Sequence, residues 1–282
     1  TEHLFPCFNY YLKPRFRNSY ILKSRKRIQS IKEMTGFHPG FNLVSVIVAV
    51  ITFLFNSTPS AASCGFSDKT SGNYTVPSTG CQLSQMITVN GAMNVSGVPG
   101  DSPLRELAAM GGTPDASNPK RHFKVLADKQ LYLAYLRLTG GAVITNSVSG
   151  GAGVGGSILV DNNSILHIIG SIFNGGTLAA HAGACIGALS GTSGAIISVV
   201  RSTFQSNMAG HGGAFWIGGS STVSLEDCKF ISNEAQSGAG GAITCVSGCT
   251  VKLVGGNNIF DSNQDATATP YTNSFYSSYQ GS

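Results

Sequence analysis

Hydrophobic and polar residues alternate through the middle and later part of this chain in five short stretches with one shared layout. They are Leu131–Leu138, Leu166–Phe173, Ile197–Phe204, Val223–Phe230 and Val251–Phe260, the last with two extra residues. Each puts apolar or small residues at its first, third, sixth and eighth places. In the fourth, Val223, Leu225, Cys228 and Phe230 share one face, Ser224 and Lys229 take the other, and Glu226 and Asp227 stand at the break. Alternation of period two, interrupted by a one-residue slip, predicts two short strands joined by a bend; an amphipathic helix needs a period of 3.6. The last residues of the stretches (138, 173, 204, 230, 260) lie 35, 31, 26 and 30 residues apart. That spacing is in the range of a solenoid.

A second signature follows the terminal Phe. Phe204, Phe230 and Phe260 are each followed three residues later by Asn207, Asn233 and Asn263. Next come Gly212-Gly213-Ala-Phe and Gly240-Gly241-Ala-Ile, with looser copies at Gly155 and Gly183. Together these predict an all-β chain: a right-handed, single-stranded parallel β-helix of about five coils over residues 121–265. Coils stack at the spacing of paired strands, so equivalent side chains build a Phe stack and an Asn ladder. Asn tolerates left-handed turn geometry, and paired glycines let the backbone turn without a Cβ clash.

The pairing of F-x-x-N with G-G-A-[I/L/V] resembles the repeat of chlamydial polymorphic membrane proteins, within the pectin-lyase-like group of β-helices. The resemblance covers about residues 131–265 and is most specific over Phe204–Ile243. It implies a surface or secreted β-helix concerned with adhesion. The bacterial members end in a translocating β-barrel, which residues 265–282 do not resemble.

The flanks carry other signals. Residues 63–120 are expected to form an N-terminal cap, with a short helix over Asp101–Met110 suggested by an Asp N-cap, an early proline and a Gly-Gly stop. Residues 266–282 are expected to be an irregular tail. Phe41–Phe55 is an uncharged apolar run followed by small residues, the layout of a secretory signal peptide over 41–62. The alternative is a signal anchor, the only membrane contact expected, with the basic segment 1–40 kept in the cytoplasm. Either way the expected location is secreted or cell-surface.

Charge then excludes one class of partner. The net charge of +5 is concentrated in residues 1–40, which hold eight of the 18 Lys/Arg and two of the 13 Asp/Glu; ten basic and eleven acidic residues remain. Nucleic-acid binding needs a basic excess that the repeat region lacks. Four sequons, at Asn56, Asn73, Asn94 and Asn162, are glycan acceptors in a eukaryotic secretory pathway. Cys64 with Cys81 and Cys245 with Cys249 are the disulfide candidates, each closing a short loop. Cys185 and Cys228 sit at interior repeat positions. The cysteine spacings give no zinc motif, and no cofactor is implied.

Candidate chemistry is sparse, and no catalytic residues are assigned. Outward places hold Tyr132, Arg137, His167, Ser198, Arg201, Ser224, Lys229 and Lys252. Arg137 and Lys229 fall in one register with Ile172 and Thr203 between them, and Arg201 stands two places earlier in its own stretch. These three cations, with Trp216 as a stacking platform, are the candidate binding residues for an extracellular glycan or a host or matrix surface. The alternative is a polysaccharide lyase, hydrolase or epimerase. Glycoside hydrolysis needs paired carboxylates, and the outward places offer only Glu226 and Asp227. His181 and His211 are expected on turns, without a fixed partner.

Overall fold

The computed structural model describes residues 62–109, 120–142, 154–189, 194–246, 248–266 and 275–277. The basic segment and all but the last residue of the expected export segment lie outside the described residues. So do most of the tail and Met110 with its Gly-Gly.

Among the described residues four sheets form, all with parallel strands. Sheet 1 stacks Gly72–Thr75, Ala92–Ser96, Gln130–Ala134, Ile165–Ile169, Ile196–Val200, Thr222–Glu226 and Thr250–Val254. Sheet 2 stacks Cys81–Gln82, Arg105–Ala108, Leu136–Thr139, Ile172–Asn174, Thr203–Gln205, Lys229–Ile231 and Ile259–Asp261. Sheet 3 runs from Ile87–Val89 through Phe123–Val125, Ile158–Val160, Ile186–Ala188, Phe215–Ile217 and Ile243–Cys245 to Phe275–Ser277. Sheet 4 is shorter: Thr177–Ala182, Met208–His211, Glu234–Ala235 and Gln264–Asp265. The chain visits sheet 1, sheet 2, sheet 4 where present, and sheet 3, then returns to sheet 1 one strand further along. This is a parallel β-helix.

The five expected coils are the last five strands of sheet 1, and two more precede them. Residues 72–108, expected as a cap, continue the stack in register, with Gly72 beside Met93 and Leu107 beside Leu138. The expected helix over Asp101–Met110 is corrected: Arg105–Ala108 is a strand of sheet 2. Leu107 is buried inside the coil. Asp101 bonds the Arg105 Nε at 2.6 Å instead of capping a helix. Pairing to the next coil overrides the local helix signal. Within the expected tail, Phe275–Ser277 adds the last strand of sheet 3.

The bend in each repeat is a left-handed residue. Tyr135, Gly170, Arg201, Asp227 and Gly255 take φ of 56°, 56°, 47°, 52° and 70° between sheets 1 and 2. This single residue resets the alternation, so Leu225 and Cys228 both point inward.

Behind the bends the core is columnar. Phe173, Phe204, Phe230 and Phe260 stack with centroids 4.9, 5.0 and 4.9 Å apart. Phe215 meets Phe204 edge-on from sheet 3, at 4.6 Å. Asn207, Asn233 and Asn263 are buried. The Nδ2 of Asn207 donates to the Oδ1 of Asn233, and that of Asn233 to Asn263, each at 2.9 Å. Each Oδ1 also accepts a backbone N–H of the coil before. Corner groups that a strand ladder would leave unpaired are thereby satisfied. Gly212 and Gly240 turn the chain into sheet 3 with φ of 57° and 76°. A Cβ on Gly213 would fall 2.2 Å from the Gly241 carbonyl, and that contact is why the pair is glycine.

Disulfides join Cys64 to Cys81 and Cys245 to Cys249, with Cα–Cα distances of 5.1 and 5.8 Å. The first clamps buried Phe66 and the 62–68 turn over the start of the stack. Among the described residues no helix is long and apolar enough to cross a membrane.

Candidate binding surface

Sheet 2 presents one outward column across the stack: Glu106, Arg137, Ile172, Thr203, Lys229 and Ile259. The strand alternation that buries Leu138, Phe173, Phe204 and Phe230 forces these neighbours outward. Arg137 and Lys229 therefore share a face, with Ile172 and Thr203 between them. Lys229 is exposed, whereas Arg137 is half-buried, and its Nε is shielded with no hydrogen-bond partner.

Arg201 stands at the corner beside this column and is exposed. Tyr135 occupies the same corner two coils earlier, and its ring lies over Gly170: a Cβ there would come within 2.9 Å of two ring carbons. The ring therefore depends on glycine between it and Arg201. The ion pairs among the described residues, Lys69–Asp68 and Arg105–Asp101, involve none of the three cations. Of the nearby carboxylates, two accept hydrogen bonds from neutral side chains. Glu106 accepts the Thr139 hydroxyl at 2.7 Å, and Asp227 accepts from Asn257 at 3.0 Å.

Trp216 does not join them. It lies half-buried on sheet 3, between Gly187 and Thr244 in the register. The candidate residues thus separate into a basic stripe on and beside sheet 2 and a lone indole on another sheet. Two groups absent from the candidate set lie on sheet 1, next to the corner. Tyr132 and His167 pair in register, with ring centroids 6.4 Å apart. Alternation marked both as outward, and they face out from sheet 1, apart from the sheet 2 column.

Two thiols and one histidine are buried. Cys185 and Cys228 are free, and burial pushes both thiols up, away from the nucleophilic thiolate. His122 is fully buried, with Nε2 3.1 Å from the Leu107 carbonyl oxygen. Desolvation lowers its pKa to about 4, against the opposing pull of the Leu107 and Thr139 carbonyls. Beside it Arg121, lowered to about 10 by burial, donates to the carbonyls of Val154 and Gly155 at 2.7 Å. Sequence gave no hint of these two, since a polar pair before a strand ordinarily reads as a turn. His181 and His211, expected on turns, belong to strands of sheet 4. Among the described residues no three His, Cys, Asp or Glu gather as metal ligands.

No protein-family model matches the chain, and no curated protein or solved structure is significantly similar to it.

Proposed function

We propose that this protein is a secreted or cell-surface β-helix module that binds an acidic extracellular glycan or matrix polymer without cleaving it. The observation that carries the reading is the stripe of Arg137, Arg201 and Lys229. All three lie on or at the corner of sheet 2, outside the described ion pairs, with Tyr135 at the same corner position as Arg201. A polyuronate offers repeated carboxylates that accept guanidinium and ammonium hydrogen bonds, and sugar rings that pack on aromatic faces. Strands fix the backbones of Arg137 and Lys229, and a tight bend that of Arg201, so the backbone needs no ordering on binding. The export layout of residues 41–62 and the likeness of the F-x-x-N repeat to surface β-helices support the same reading.

The test incubates the purified protein with pectate and with alginate, measuring protein retained on each polymer and sugars released from it. Retention without unsaturated or shortened products is the expected result. Product release would replace this reading with that of a carbohydrate-active enzyme.

A further inference from the structure

Two of the four sequons meet on one outer face. Asn73 and Thr75 lie on the first strand of sheet 1, and Asn94 and Ser96 on the second. The register places Asn73 beside Asn94 and Thr75 beside Ser96. Within a strand, the first and third sequon residues share a face. Both asparagines are exposed, while Val95, between the second pair, is fully buried. The Asn162 sequon is different. Its Oδ1 is shielded, and Ser164 is buried with its hydroxyl on the Leu126 carbonyl at 2.7 Å. A glycan at Asn162 would have to leave a packed corner. Asn56 lies outside the described residues.

We propose that Asn94 carries an N-linked glycan whose first sugars lie along Tyr132 and His167. What sets it apart from Asn73 is where its sugar would lie. Asn94 pairs directly with Tyr132 in the next coil, and Tyr132 with His167, so an aromatic track begins beside it. Asn73 lies on the other side of Asn94, on the first strand, one coil further from that track. In addition, the Asn94 Nδ2 donates to the Asn73 Oδ1. Transfer replaces one of the two Nδ2 hydrogens, and the other remains to keep this bond.

The donor is a polyprenyl-pyrophosphate-linked oligosaccharide. The Nδ2–C1 bond forms, the C1–O bond to the pyrophosphate breaks, the amide proton is lost and the lipid pyrophosphate leaves. Transfer takes place on the extended chain, and the folded protein tolerates the sugar because the site faces outward. Apolar sugar faces then pack on the Tyr132 ring.

This inference rests on the export reading above, and the experiment separates the two. The full chain is expressed in a eukaryotic secretory host, alongside a version led by a foreign signal peptide. Secreted protein is then treated with peptide-N-glycosidase in heavy-oxygen water and mapped by mass spectrometry. The expected outcome is heavy-oxygen aspartate at position 94, with that peptide's glycan lost in Asn94→Gln and kept in Asn73→Gln. Deglycosylation lowers the melting temperature of the wild type but leaves that of Tyr132→Ala unchanged. Secretion of only the foreign-signal version would overturn the export reading and leave this one testable. A secreted chain without label at position 94, or labelled only at Asn73 or Asn162, would overturn the proposal.

Discussion

Side chains in this fold act through the column they belong to, so single substitutions test neighbours as well. Asn233 receives hydrogen bonds from the backbone N–H and the Nδ2 of Asn207, and donates to the Phe204 carbonyl at 3.0 Å. Replacing it with Ala leaves several buried groups unpaired. At 1–3 kcal/mol for each such group, a loss of about 3 kcal/mol or more is expected in urea unfolding. An unchanged midpoint would mean the ladder is decoration. His122 gives a pH dependence. Its folded pKa, about 4, lies below the ordinary 6.5, so between these values the unfolded chain binds a proton that the folded one refuses. Stability is therefore full above pH 6.5 and falls as the pH drops toward 4, by about 3 kcal/mol from this one residue. Denaturant midpoints at neutral and mildly acid pH should converge in His122→Gln, relative to the wild type. Arg201 separates stability from binding. Gly occupies its corner position at Gly170 and Gly255, so Arg201→Gly should raise stability by about 0.5–1 kcal/mol while weakening polymer retention.

At the scale of strands and bends, the repeats themselves were legible. Val223, Leu225, Cys228 and Phe230 are all buried, and the slip at Glu226-Asp227 is a left-handed bend at Asp227. The Phe and Asn columns followed from spacing alone, because stacked coils put equal positions above one another. Arg105–Ala108 was not legible. Its coil lacks F-x-x-N, and its strand exists through pairing with Leu136–Thr139, a partner distant in sequence. Local signals, an aspartate and a proline, pointed the other way. The clamp at the start of the stack is tested by Cys64→Ser with Cys81→Ser. Their bond spans 17 residues, and its removal should cost about 3 kcal/mol. Amide exchange should quicken around Ala62–Gln82 well before the later coils respond.

For the molecule as a whole, the fold decides which outward residues can meet one ligand. Sequence placed Arg137 and Lys229 in one register and the structure does the same, since register is set by counting within the repeat. Trp216, named separately as a stacking candidate, stands on sheet 3. Which sheet a residue joins depends on the corners, and their angles are not written in the alternation of apolar and polar residues. The aromatic ring that shares a corner position with the basic stripe is Tyr135.

The measurement that bears most directly on this account is a binding titration of pectate against the wild type and the triple variant Arg137→Ala, Arg201→Gly, Lys229→Ala, at low and high salt. The variant is expected to bind at least about tenfold more weakly at low salt, with the difference closing as salt rises. Equal affinity of the two proteins at low salt would contradict it.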